Sequence, residues 1–187
     1  MSTSAKIGKL AVAARSQKTV SGLTHEFYKY PARFSPQFAR AAIEQFSEPS
    51  CLVLDPFMGG GTTILEAKAL GRDSIGTDIN SLSVFITKVK TTIIPKSKFK
   101  ELEDWFNHCV EEIDFRSQVD SKIYEDSRTK NLHISKARYL KKYIGCLLNE
   151  VGDLSTKSTR DFARCVLLRS AQWALDGRKQ ITICCGG

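Results

Sequence analysis

Proline is scarce in this chain and unevenly placed. Pro31, Pro36, Pro49, Pro56 and Pro95 are all there is, so the last 92 of 187 residues contain none. No two prolines are adjacent and none directly precedes a cysteine, which excludes any active-site loop built on a Pro-Pro or Pro-Cys pair. The proline-free stretch is also free to run as uninterrupted helix, since proline is the residue that breaks helices most strongly. Long apolar runs are missing as well. Nothing approaches the ~18 residues of a membrane span, and the N-terminus lacks the apolar core of a signal peptide, which predicts a cytoplasmic protein. His25, His108 and His133 combine with none of the six cysteines (51, 109, 146, 165, 184 and 185) in a metal-binding spacing, so no metal is expected. Cys51, Cys109, Cys146 and Cys165 sit in apolar patterns and read as buried free thiols of a reducing compartment. Cys184 and Cys185 have no neighbouring base or positive field to activate a thiol.

What is present is ordinary for a globular protein: 42% hydrophobic and 26% charged residues, which argues against a disordered chain, a collagen-like repeat or a disulfide scaffold. The length allows one sizeable core, or one core with an appended bundle. The net charge is +8, and it clusters. Lys6, Lys9, Arg15 and Lys18 occupy the first 25 residues without an acid, and Arg128, Lys130, Lys136, Arg138, Lys141 and Lys142 occupy residues 128–142 without one. Such clusters suit a polyanion, most simply nucleic acid, and equally suit a solvated basic face.

Residues 1–24 are small, polar and basic, and predict a flexible arm. Ser35-Pro36 is a helix start, with serine as N-cap and proline at the first helical position. Cys51-Leu52-Val53-Leu54 is a short apolar run that predicts a strand buried on both faces. A glycine-rich turn over residues 55–61 follows, then a short helix over residues 62–70 stopped by Gly71. A second strand over residues 74–77 ends at Asp78, and helix resumes at Ser81. Strand–turn–helix–strand–helix is the opening of a parallel α/β sheet. Beyond Pro95 the pattern turns helical. Phe99, Leu102, Phe106, Cys109, Val110 and Ile113 share one face, and Ala137, Leu140, Ile144, Leu147, Leu148 and Val151 share another. Phe162, Val166, Arg169 and Trp173 mark a third, with Cys165, Leu168 and Ala171 beside it. The expected organisation is an arm (1–24), an α/β part (25–95), a helical subdomain (96–179) and a tail (180–187).

The chemistry concentrates in Asp55-Pro56-Phe57-Met58-Gly59-Gly60-Gly61-Thr62-Thr63. Gly59 and Gly61 let a ligand approach the backbone, and the helix that follows offers unpaired N–H groups. Asp78 lies 17 residues past Gly61, where an acid can accept hydrogen bonds from ribose hydroxyls, as in nucleotide-binding βαβ units. The alternative is a plain βαβ turn with a helix-capping aspartate.

This nine-residue stretch resembles the Asp-Pro-Phe-x-Gly-x-Gly-Thr motif of S-adenosylmethionine-dependent amino methyltransferases, which methylate N6 of adenine or N4 of cytosine in DNA. The upstream run from His25 to Pro36 (HEFYKYPARFSP) is similar to the segment that precedes the motif in that family, and Gly76-Thr77-Asp78-Ile79-Asn80 to the acidic strand end that follows it. The resemblance covers residues 25–94 and implies a Rossmann-like parallel sheet, here partial, with the helical subdomain appended. It implies that S-adenosylmethionine is the cofactor, DNA the substrate and restriction-modification the setting. Asp55, Pro56, Phe57, Gly59 and Gly61 would line the methionine end of the cofactor. Thr62 or Thr63 would cap the helix and meet the carboxylate, Asp78 would hold the ribose, Ile79 would pack on the adenine, and Asn80 would join the cofactor-binding set. Phe27, Tyr28, Tyr30, Pro31 and Phe34 would wall the methionine moiety; by themselves they suit a core cluster ahead of the Ser35 helix equally well. His25 is given no catalytic role.

In that family a second motif, Asp/Asn/Ser-Pro-Pro-Tyr/Phe, holds the flipped base's amine. With no adjacent prolines this motif is absent from the sequence, and no residue is assigned as catalytic. The expectation is therefore a cofactor-binding portion that needs a second polypeptide or a second copy to complete sheet and active site. A non-catalytic binding or regulatory module and an RNA amino methyltransferase are the alternatives.

Overall fold

The computed structural model describes residues 3–16, 21–31, 34–112 and 134–175, with the side chains of 3, 4 and 134–138 excepted. The tail at 180–187 lies outside the described residues. The chain divides into two compact units, Met1–Ile93 and Ile94–Gly187.

The first unit holds α1 (Thr3–Ala14), α2 (Pro36–Phe46), β1 (Leu52–Asp55), α3 (Thr62–Ala69), β2 (Asp73–Gly76) and α4 (Ser81–Thr91). Where a flexible arm was expected, Thr3–Ala14 is a helix that packs against α2. Helix α2 starts as its sequence dictates. The Ser35 hydroxyl accepts from the Phe38 N–H and Pro36 fills the first turn, where a missing N–H costs nothing.

Strands β1 and β2 pair in parallel, Leu52 opposite Asp73 through Asp55 opposite Gly76. Helix α3 packs on both strands and on α4, so the described sheet is a two-stranded parallel pair joined through α3 in β–α–β order. The expectation that β1 is buried on both faces is corrected. Leu52 is 59%, Leu54 63% and Ile75 49% exposed, all on the face turned away from α3. Side chains alternate across a strand, and among the described residues only the Val53, Ser74 and Gly76 side is shielded. The shielded side is tight. A Cβ on Gly76 would come 2.4 Å from the Met58 sulfur and 2.9 Å from the Ile64 side chain.

The second unit contains α5 (Phe99–Glu112), α6 (Ile134–Glu150) and α7 (Lys157–Leu175). Its core joins Cys109, Ile144, Leu147, Val151, Leu154, Ala163 and Leu167, with Leu102, Trp105 and Leu140 packed against them. Of the apolar stripe expected on α6, Leu140, Ile144, Leu147, Leu148 and Val151 pack inward as read, and the Ala137 side chain lies outside the described ones. On α5 the expected Leu102 and Cys109 face the core together with Trp105, while Phe99, Phe106 and Val110 are about half exposed. On α7 the core is held by Ala163 and Leu167 with Ala171 packed against it, Cys165 is buried, and Trp173 is about half exposed. The indole N–H of Trp105 donates to the Glu150 carbonyl (3.0 Å), which fixes the rotation of α5 against the end of α6. Burial, with the nearby Glu150 and Asp153 carboxylates, pushes the Cys109 thiol up to about 11. That leaves it an inert packing group. Glu101 receives the Ser155 N–H (2.6 Å) and hydroxyl (2.9 Å) and pairs with Lys98, and these hold its carboxyl down at about 2.

Candidate functional site

The ends of β1 and β2 are stitched together through Thr77. Its N–H donates to the Asp55 carbonyl (3.0 Å), its carbonyl accepts from the Met58 N–H (3.0 Å), and its hydroxyl donates to the Pro56 carbonyl (3.0 Å). The Gly61 N–H closes on the Met58 carbonyl (2.7 Å), and the Phe57 N–H donates to Asp55 Oδ1 (3.1 Å). The glycine turn is therefore a fixed loop, folded against the start of the segment that follows β2.

Asp78 reaches across to it. Its Oδ2 accepts from the Gly59 N–H (2.9 Å) and its Oδ1 from the Asn80 N–H (2.8 Å). These bonds, Asn80 first and Gly59 next with the Ser83 hydroxyl adding less, hold the carboxyl below its ordinary value despite a small opposing effect of burial. A carboxylate offers about four acceptor positions, so two bonds do not exhaust it. Asn80 in turn caps α4, its Oδ1 accepting from the Leu82 N–H (3.0 Å).

Two glycines are required by geometry. Gly59 and Gly61 hold φ of +49° and +75°, the left-handed region that side chains disfavour. At Gly61 a Cβ would also lie 2.4 Å from Thr87 Oγ1 and 2.7 Å from its Cγ2. The expected cap from Thr62 or Thr63 is not made. Gly61 itself is the N-cap of α3, without a side-chain bond, so both threonines fall inside the first turn, Thr62 buried and Thr63 half-buried.

The upstream aromatic segment lies on this loop in part. Tyr30 packs so closely on Gly60 that a Cβ there would sit 3.0 Å from its own Cβ. The Tyr30 hydroxyl accepts from Ser83 (2.6 Å) and from the Asn80 amide (3.3 Å). Tyr28 is buried, Phe27 half-buried and Pro31 exposed. Phe34 instead packs edge-on against Phe38, ring centroids 5.4 Å apart. Phe57 and Ile79 are almost wholly exposed on either side of Asp78 in sequence.

Sequence reasoning missed the residues beneath the loop. His25 is 2% exposed and its Nε2 lies 2.7 Å from Glu66 Oε1, while Arg40 donates to Oε2 of the same carboxylate (2.8 Å). Lys90 Nζ donates to the Gly60 carbonyl (2.8 Å) and is buried. Only Glu66, an acid flanked by Leu65 and Ala67 on a short helix, carries any sequence signal of this.

In the basic segment Arg128 and Lys130 lie outside the described residues, as do the side chains of Lys136 and Arg138. Lys141 and Lys142, on α6, are 3% and 4% exposed. Among the described residues no group of three or more His, Cys, Asp or Glu could hold a metal ion, and no helix is long and apolar enough to cross a membrane.

Residues 11–89 match the family model of the N6/N4-type DNA methylases, and this stretch contains the loop, Asp78 and the Tyr30 segment together. The match covers residues 11–89 of the 187-residue chain. The chain is 42% identical over 94 residues to the Type II methyltransferase M.MvaI of Kocuria varians, a match covering 49% of the chain and 21% of that protein. It is 36% identical over 107 residues to the Type II methyltransferase M.BsoBI of Geobacillus stearothermophilus, covering 57% and 18%. Against the Type II methyltransferase M.MjaII of Methanocaldococcus jannaschii it is 25% identical over 134 residues, covering 72% and 24%. The chain thus spans about a fifth of the length of these relatives. No solved structure matches it.

Proposed function

We propose that residues 25–94 form the S-adenosylmethionine-binding portion of a DNA methyltransferase acting on an exocyclic amine, N6 of adenine or N4 of cytosine. The observation that carries this reading is the Asp78–Gly59 bond, which joins the acidic strand end to the glycine loop inside the family-matched segment. The residues fit the cofactor. Asp78 keeps acceptor positions for ribose hydroxyls, the exposed Ile79 beside it offers an apolar surface for adenine, and Phe57 and Tyr30 flank the loop where the methionine end would lie. The cofactor supplies an activated methyl group; this chain's part is to bind and orient it.

Calorimetric titration of the chain with S-adenosylmethionine tests the reading. Saturable binding is expected, weakened at least about tenfold in Asp78→Ala, in line with the loss of charge-assisted hydrogen bonds. A wild-type chain that shows no heat of binding overturns it.

The absence of adjacent prolines favours a second reading, a binding or regulatory module without transfer activity of its own. Labelled methyl transfer separates the cases. Transfer to DNA supports the first reading, transfer to tRNA or rRNA alone supports an RNA enzyme, and cofactor binding without transfer supports the module. We also propose that the exposed Leu52, Leu54 and Ile75 face is covered in the working enzyme by a further polypeptide or a second copy, since contiguous exposed apolar side chains mark contact surfaces. Leu54→Ser is expected to raise solubility and cost less than about 1 kcal/mol in urea denaturation, as for other exposed positions. A core-like loss of 2 kcal/mol or more would show that the face is already covered.

A further inference from the structure

We propose that His25 and Glu66 are positioning residues for the cofactor loop: their buried bond straps residues 24–31 across α3 and α4, so that Tyr30 lies over Gly60. This rests on the cofactor-site reading above. Three anchors define the strap. At its start the Thr24 hydroxyl donates to the Lys90 carbonyl near the end of α4 (2.9 Å). Next, His25 Nε2 meets Glu66 in the middle of α3 (2.7 Å). At its far end the Tyr30 hydroxyl accepts from Ser83 and Asn80 at the start of α4.

The anchors connect to the ligand-facing groups through bonds already described. Asn80, which holds Tyr30, also gives its N–H to Asp78, and Asp78 holds Gly59. Gly60, beneath Tyr30, is held from the other side by Lys90. The strap therefore fixes both the wall over the loop and the carboxylate beside it. The His25–Glu66 pair is the one anchor in which both partners are fully desolvated, so little water competes with it. His25 Nδ1 is buried with no hydrogen-bond partner. An apolar side chain would fill that space without leaving a ring nitrogen unsatisfied, so the imidazole is explained by the bond it makes to Glu66 rather than by packing.

The test uses the full chain in four forms: wild type, His25→Leu, His25→Gln and Glu66→Gln. Trypsin cleavage after the exposed Lys29, without ligand, reads the strap directly. It is expected to accelerate about tenfold in His25→Leu, as the loss of one hydrogen bond to a charged group predicts, and to return to within about threefold of wild type in His25→Gln, whose amide can donate to Glu66. The dissociation constant for S-adenosylmethionine, measured well below the unfolding temperature, is expected to follow the same order. Glu66→Gln keeps the shape and is expected to show the same direction, which covers a His25→Leu chain that fails to fold. Equal cleavage at Lys29 in wild type and folded variants overturns the proposal. So does a folded variant with open Lys29 and wild-type affinity. Absence of binding in the wild type removes the cofactor-site reading instead, while the cleavage arm still decides the strap.

Discussion

Gly61→Ala is expected to destabilise the first unit by about 2–5 kcal/mol and to abolish S-adenosylmethionine binding. Two effects add. A side chain at φ +75° costs about 1–2 kcal/mol, and forcing a methyl group into the Thr87 side chain, with all three nearest atoms within 2.9 Å, costs about 1–3 kcal/mol. Gly71 separates them. Its φ is +70°, but a Cβ there meets nothing within 4 Å, so Gly71→Ala is expected to cost about 1–2 kcal/mol and leave cofactor affinity unchanged. Adding Thr87→Ala to Gly61→Ala is expected to recover part of the loss. It removes the two closest atoms, and Thr87 Oγ1 is buried without a partner, so no hydrogen bond is lost with it. Urea denaturation of the three variants checks the order, and a Gly61→Ala chain no less stable than Gly71→Ala would refute the account.

Glu66→Ala is expected to cost about 3 kcal/mol at neutral pH, the usual scale for removing one partner of a buried ionic cluster. Most of this belongs to the desolvated His25 side, because the Arg40 side chain is 44% exposed and solvent weakens its share. The pH dependence follows from the carboxyl. Burial works against its ionisation, but the His25 hydrogen bond and the Arg40 charge outweigh it and bring its titration below the ordinary 4.5. A group depressed on folding contributes fully above its unfolded value and loses that contribution as pH falls through its folded value. The gap between wild-type and Glu66→Ala stability should therefore hold constant down to about pH 4.5 and close below it. Asp78 and Glu101 are depressed too, and both titrate in each chain, so the difference between the two curves removes their contributions. Curves that stay parallel into acid would show that Glu66 carries no ionised contact.

Much of the candidate site is legible in the sequence because its chemistry is local. Asp55 to Thr63 is one contiguous loop whose glycines declare unusual backbone angles, and Asp78 sits at the end of the next strand, where parallel pairing brings it beside that loop. The helix start at Ser35-Pro36 is read from two residues for the same reason. What was misread depends on partners far away in sequence. The apolar run Leu52 to Leu54 is the same whether one face of the sheet is covered or two. Thr62 and Thr63 look like caps until Gly61 takes the cap position. On α5 and α7 apolar residues spread around the helix, and the Trp105 bond to Glu150 with the packing of Ala163 and Leu167 fixes which face is buried.

The sequence by itself determined that no Pro-Pro motif stands anywhere in these residues, and that a glycine loop and an acid follow two strands in the order of the N6/N4 DNA methyltransferases. Only the tertiary structure decided which groups hold that loop. His25 and Glu66 are 41 positions apart, and Lys90 and Gly60 are 30 apart. Residue periodicity cannot report such pairs, because it records which face of an element is apolar and not which polar group is buried against another element. Their bonds exist only once α3, α4 and residues 24–31 share one interior, where an unpaired polar group is too costly to leave.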